Sequence, residues 1–225
     1  MKHSGPYIGI VVNNLDPLAL GRVQVKVPTL DEDRIEWARV MAPRAGLNQG
    51  ILFRPEVGDE VVVMFLEGSP DNPVVMGGLW SPGAMPPSAL AGQSVIRTNS
   101  GHMVTFDDAH GAECIEITTP GGQSILLSDE SDGSRIEIVG SDGTSRIVMN
   151  DDNGTITISA DSGDIVLRAG GDVVIEGTNI RLSAQAQVDI TGTAGTEVTS
   201  QGPSRVQGAL VQLDGSVLVN GQPLP

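Results

Sequence analysis

Few residues in this chain could do chemistry, and they are loosely grouped. His102 and His110 stand eight apart, flanking Asp107 and Asp108 and bracketed by Gly101 and Gly111. Two imidazoles with two carboxylates make a ligand or acid–base set, but the glycine-bounded stretch places them in exposed turns. Asp129-Glu130 and Asp151-Asp152 offer paired carboxylates of the kind that glycoside hydrolysis uses. Sugar clefts are usually lined by aromatic rings, and residues 107–225 contain none, so these pairs read as solvated turns. Acidic turns also attract Ca²⁺, yet no EF-hand spacing is present. Cys114 is the single cysteine, in the alternation Cys114-Ile115-Glu116-Ile117, and reads as a small strand residue rather than a nucleophile. Alone, it forms no internal disulfide and no Cys-based zinc site. The expectation is therefore no catalytic residue, no cofactor and no metal site.

The elements that would position any site are strands. Gly (29) and Pro (14) are abundant among 225 residues, which suits short strands joined by tight turns. Residues 1–106 carry 8 Lys+Arg against 10 Asp+Glu and hold every aromatic ring: Tyr7, Trp37, Phe53, Phe65, Trp80 and Phe106. Residues 107–225 carry 5 Arg against 18 Asp+Glu, a net charge of −13 against −2 before it. That shift marks a domain boundary, and the overall charge of −15 argues against nucleic acid or an anionic membrane surface as partner. The apolar run Ile8–Val12 is too short for a signal peptide, and no stretch approaches the roughly 18 apolar residues of a membrane span. Folding in the cytoplasm is expected.

In the first half, Tyr7–Asn13, Gly21–Val27, Glu36–Met41, Glu60–Glu67 and Pro73–Leu79 are β-rich runs separated by turn clusters. Five short strands without a helix fit an OB-type Greek-key barrel over residues 1–80. Gly58 is read as permitting the turn before Val61–Leu66, and Gly77-Gly78 as allowing a close backbone approach. Residues 81–112 read as linker and junction.

Residues 113–225 read as a repeat. Apolar pairs two apart recur at Ile136/Ile138, Ile147/Met149, Ile156/Ile158, Ile165/Leu167, Val173/Ile175, Ile180/Leu182 and Val188/Ile190, at intervals of 11, 9, 9, 8, 7 and 8 residues. Turn residues separate them, as in Ser141-Asp142-Gly143 and Asp152-Asn153-Gly154. Two aliphatics per strand cannot fill a sandwich core about 10 Å thick. They suit a narrow triangular prism, built either by one chain or by three chains contributing one strand per level; the latter leaves no long open edge.

Three ordered segments carry a resemblance. Tyr7–Pro28 (YIGIVVNNLDPLALGRVQVKVP), Trp37–Gly46 (WARVMAPRAG) and Pro55–Trp80 (PEVGDEVVVMFLEGSPDNPVVMGGLW) resemble the phage baseplate assembly protein V family and the spike domain of type VI secretion VgrG proteins. Ile96–Glu130 resembles their passage from barrel to needle. The resemblance implies an all-β fold: an N-terminal OB-like barrel followed by a C-terminal intertwined triple-stranded β-helix in a homotrimeric needle. The function it implies is that of a non-enzymatic central spike, puncturing an envelope at the tip of a contractile injection system. It implies a separate hub protein and inner tube at the barrel end, since the large hub domain of VgrG proteins is not seen before the barrel. The short linker leaves no room for an inserted cell-wall-cleaving domain.

The needle tip of some relatives binds iron through a His-x-His pair, and no histidine here lies beyond residue 110, so a metal-free tip capped by a PAAR-type protein is expected. The candidate tip contacts are Val217, Val219, Asn220, Gly221, Gln222, Pro223, Leu224 and Pro225, a short apolar and proline-rich run on a strongly acidic chain. The membrane would be met only by mechanical puncture, and the protein would be assembled in the bacterial cytoplasm into a virion or tail-like particle. Two alternatives stand beside this reading: an OB-fold binder of nucleic acid or oligosaccharide, which needs a basic groove with stacking aromatics, and a trimeric receptor-binding fibre.

Overall fold

Alternating valines send one apolar row per strand into a narrow barrel. The computed structural model describes residues 4–30, 34–131, 133–219 and 222–223. Its first strands are β1 (Tyr7–Asn13), β2 (Val23–Lys26), β3 (Ile35–Val40), β4 (Ala45–Gly46), β5 (Gln49–Gly50), β6 (Glu60–Phe65) and β7 (Pro73–Gly78). Strands β1-β2-β3-β7-β6 close a barrel, antiparallel throughout except for β3 and β7, which run parallel with Arg39 opposite Val74. The five expected strands are thus present, each end within two residues of its expected place.

The barrel interior is Val11, Val23, Val25, Val27, Ala38, Val61, Val63 and Val75, all buried. Small side chains are required because five strands enclose little volume. Tyr7 and Phe65 plug the core edge to face, ring centroids 5.4 Å apart. Gly9 is where β1 crosses β6 most closely: a Cβ there would lie 2.7 Å from a Val63 methyl. Gly58 turns the chain into β6 with φ +98°, as expected. Gly77-Gly78 is different. They are ordinary ladder residues opposite Val62 and Val61, and a side chain at either would meet open space or normal contact, so no close approach explains them.

Seven further strands form one antiparallel meander in chain order: β8 (Gln93–Arg97), β9 (Met103–Asp107), β10 (Cys114–Thr118), β11 (Ser124–Ser128), β12 (Arg135–Val139), β13 (Ser145–Asn150) and β14 (Thr155–Ala160). The sheet begins at Gln93, inside the stretch read from sequence as linker and junction. It also departs from the expectation of one strand per level shared among chains. Up to Ala160 each strand pairs with the next strand of its own chain. The physical reason lies in the turns, where Gly143 (φ +71°) and Gly154 (φ +63°) adopt left-handed conformations that reverse the chain sharply.

The chain divides into two compact units, residues 1–166 and 167–225. In the second, residues 167–216 are exposed and interrupted by bends, with no strand before β15 (Leu218–Val219), which pairs with β16 (Gln222–Pro223). The aliphatic pairs from Val173/Ile175 to Val188/Ile190 therefore have no ladder partner within the chain, and the triple-stranded β-helix is not formed by a single chain. Among the described residues no helix is long and apolar enough to cross a membrane.

Candidate functional site

The meander's register gathers aliphatics that are scattered in sequence. Cross-strand pairing aligns Ile96, Val104, Ile117, Ile125, Ile138, Ile147 and Ile158 in one column. A second column holds Phe106, Ile115, Leu127, Ile136, Met149 and Ile156. Both occupy the same face, because side chains alternate with period two. Apart from Val104 and Ile147, every member is 37–68% exposed. Six interstrand gaps of about 4.8 Å make the stripe roughly 29 Å long, on the order of 300 Å² at two side chains' width. A recess of about 560 Å³ along the first column is lined by Ile117, Ile125, Ile138, Ile147 and Ile158, with Ile165 at its border.

The opposite face is mixed, its central column running Val95, Thr105, Glu116, Leu126, Glu137, Val148 and Thr157. There Glu137 lies 3.6 Å from both Arg135 and Arg146, and Arg135 donates to Glu130 at 3.3 Å. Only the first face carries two unbroken apolar columns. The expected assignment of the Ile and Val pairs to a common face holds over β12–β14.

A second apolar surface lies at one end of the barrel. The Asp16 side chain, 2% exposed, accepts hydrogen bonds from the backbone N–H of Leu18, Leu20 and Arg22 and from the Arg22 guanidinium at 2.8 and 3.0 Å. The Arg22 guanidinium beside it holds the Asp16 carboxyl well below the usual carboxylate range. Arg22 in turn stacks over Trp37 at 5.2 Å. Asn14 ties this loop to the next by donating to Glu56 at 2.8 Å and to the Pro55 carbonyl at 3.3 Å. The polar knot holds Leu18 and Leu20 in water, and a groove of about 470 Å³ runs from Leu20 past Met41 and Arg44 to Ile51, Leu52 and Phe53. From sequence this loop is one of the turn clusters between β-rich runs, and the spacing of Asp16 and Arg22 is the signal that points to the knot.

The candidate chemical residues do not converge. His102 precedes β9 and His110 follows it, so a five-residue strand, about 17 Å at 3.3 Å per residue, separates them. The His110 ring is exposed and sits 3.4 Å from Glu113. Asp107 accepts from Gln93 at 2.6 Å and from the Ala109 N–H, which lowers its pKa. The register does bring Asp107, Asp108, Glu113, Asp129 and Asp151 around one recess with Arg135 and Cys114, where burial first and the nearby carboxylates second push the Cys114 thiol up. A thiol shifted that way is a poor nucleophile. Among the described residues no group of three or more His, Cys, Asp or Glu could hold a metal ion. Of the tip residues, Val217 is half-buried, Val219 lies in β15 and Gln222 and Pro223 form β16; Asn220, Gly221, Leu224 and Pro225 lie outside the described residues.

Residues 7–80 match the family described as the Type VI secretion system/phage-baseplate injector OB domain, the span of the closed barrel. Type VI secretion system spike protein VgrG1c of Pseudomonas aeruginosa is 33% identical over 107 residues, 42% of this chain and 15% of that protein. Spike protein VgrG3 of Vibrio cholerae is 33% identical over 108 residues, 42% of this chain and 11% of its own length. A Vibrio cholerae protein named actin cross-linking toxin VgrG1 is 31% identical over 110 residues, covering 10% of it. The chain thus spans a small fraction of the curated relatives it matches.

Proposed function

We propose that this chain, a relative of the VgrG and phage-baseplate spike proteins through its injector OB domain, is the structural spike of a contractile injection system and works as a homotrimer. One observation carries the reading. An aliphatic stripe some seven strands long lies uncovered, and the same two-aliphatic repeat continues through exposed backbone with no ladder partner in its own chain. An exposed apolar stripe of this kind marks a contact surface, and the open edge of β14 is a template for pairing. Three copies meeting stripe to stripe would bury the columns on a common axis, turn the acidic faces to water, and give a needle stiffened by pairing between chains.

In this assembly the barrel's Leu18, Leu20, Ile51, Leu52 and Phe53 meet a hub protein and inner tube. The run Val217–Pro225 carries the contact to a PAAR-type tip protein. No catalytic step is required: the work is to pierce an envelope mechanically after assembly in the bacterial cytoplasm. Gel filtration with light scattering should give three times 23.4 kDa. Deleting Gly221–Pro225 should leave that mass unchanged while abolishing capture of a co-expressed PAAR-type protein. A monodisperse 23.4 kDa species would overturn the trimer, and undiminished capture would overturn the tip assignment.

A further inference from the structure

Strands β13 and β14 are joined by Asp151-Asp152-Asn153-Gly154, and the ladder closes on the pair Asn150–Thr155. In this turn the Asn153 side-chain oxygen accepts two hydrogen bonds, from the Thr155 N–H at 3.0 Å and from the Thr155 hydroxyl at 2.6 Å. A backbone N–H can only donate, so the atom it meets is the carbonyl Oδ1 and not the amide nitrogen. Both donors draw electron density from Asn153 Cγ. The Asn153 N–H is itself held to Asn150 Oδ1 at 3.3 Å, which ties down the start of the turn. Gly154 follows with φ +63°, and a Cβ built on it would meet nothing within 4 Å, so its nitrogen carries no steric shield. Asn153 and Gly154 are both exposed to water and hydroxide. The preceding turn, between β12 and β13, repeats the arrangement with one change. Asp142-Gly143-Thr144 also has a left-handed glycine, φ +71°, and the Thr144 N–H donates to Asp142 Oδ1 at 3.0 Å. There the group is a carboxylate whose pKa that N–H lowers, and its negative charge repels a nucleophile. At Asn153 the same turn holds a neutral amide.

We propose that the β13–β14 turn is a self-catalysed deamidation site, in which the Gly154 nitrogen attacks Asn153 Cγ while the Thr155 N–H and hydroxyl stabilise the oxyanion. Hydroxide takes the Gly154 amide proton, and the new N–Cγ bond closes a succinimide ring. Nucleophile and electrophile belong to neighbouring residues, so no encounter has to be arranged. The tetrahedral intermediate carries its negative charge on Oδ1, where both donors already point. It collapses by breaking the Cγ–Nδ2 bond, and Nδ2 leaves as ammonia after taking a proton from water. Water then opens the ring at either carbonyl, leaving an aspartyl or an isoaspartyl linkage at position 153. One water is consumed and one ammonia released, with no oxidant or cofactor. The product adds a negative charge beside Asp151 and Asp152. The isoaspartyl form also inserts a methylene into the backbone of a tight turn. The Asn150–Thr155 pair then cannot close as it does here, and β14, the edge of the sheet, loosens. The turn is thus a clock in the meander, and it runs whether or not copies associate.

The test incubates the full chain in heavy-oxygen water at mildly alkaline pH and follows it by peptide mapping that separates aspartyl from isoaspartyl forms. Mapping by residue is needed because Asn220 also precedes a glycine. Position 153 should lose ammonia and gain heavy oxygen at a rate proportional to hydroxide, and at least as fast in the folded chain as in the same chain unfolded by guanidinium. That comparison needs no variant. A folded rate well below the unfolded one overturns the proposal, because the turn would then protect the amide. Thr155→Val keeps the branched shape without the hydroxyl and should slow the reaction about fivefold, the factor one ordinary hydrogen bond is worth. An unchanged or faster rate in Thr155→Val overturns the oxyanion role. Asn153→Gln should abolish the reaction at this turn. Isoaspartate accumulating at position 142 as fast as at 153 overturns the requirement for a neutral amide. Amide exchange on the isoaspartyl fraction, separated by anion exchange, should show protection lost over residues 155–160 and kept over 93–139. Equal protection in both fractions overturns the loosening of β14.

Discussion

Ile158→Asp separates a covered stripe from a bare one. Ile158 closes the first column beside Ile147 and is 56% exposed in a single chain. Burying an isoleucine fully is worth about 1.5–3 kcal/mol. If the stripe stays bare, the substitution forfeits only the 44% already covered, about 1 kcal/mol per chain. If three copies cover it, the remaining 56% from each chain adds about 2.5–5 kcal/mol per trimer. Three carboxylates would also be drawn toward one axis, at several kcal/mol for each desolvated ion. The sum exceeds about 10 kcal/mol, enough to dissociate the assembly. The control is the adjacent Thr157→Asp, an exposed position on the face away from the stripe, where it pairs with Val148. Analytical ultracentrifugation should give a trimer for Thr157→Asp and single chains for Ile158→Asp. If Ile158→Asp forms a trimer as stable as the unaltered protein, the stripe is not the interface.

The remaining predictions concern the barrel. Gly9→Ala should cost about 1–3 kcal/mol by overpacking against Val63, and Val63→Ala about 2 kcal/mol by lost burial and a residual cavity. Urea titration followed by tryptophan fluorescence should find the double variant less destabilised than the sum, because the smaller side chain vacates the space the new methyl needs. Asp16 is depressed in the folded state, so its contribution is fully present above the unfolded carboxylate value of about 3.9 and is lost only as pH falls further. The stability gap between the unaltered protein and Asp16→Asn should therefore stay constant from pH 7 to about pH 4.5 and close below that; a gap already closing between pH 7 and 5 would contradict the Arg22-held carboxylate. Acid should also release Leu18 and Leu20 from their fixed loop, read as faster proteolysis within residues 14–22 at low pH.

Local pattern determined a great deal here. Val23/Val25/Val27 alternate with polar residues and turn clusters bound five β-rich runs, so strand positions and a five-stranded barrel were legible. Val61–Val63, by contrast, is a continuous apolar run in which only strand pairing shows that Val61 and Val63 face inward. The aliphatic pairs likewise announced one-sided strands, which form through Ile156/Ile158 in β14, while those from Ile165/Leu167 to Val188/Ile190 form none within the chain. What spacing could not decide is which chain a strand pairs with, since an Ile pair presents the same face to its own neighbour or to another copy's. That choice is written in the turns: the left-handed glycines through Gly154 return the chain to itself, and those from Gly163 to Gly208 do not. The same glycine can adopt either conformation, so identity is silent and φ decides. Tertiary structure alone also assembled the Asp16–Arg22–Trp37 knot, in which a turn carboxylate, a cation six residues on and a ring on the next strand meet only when β2 and β3 pair.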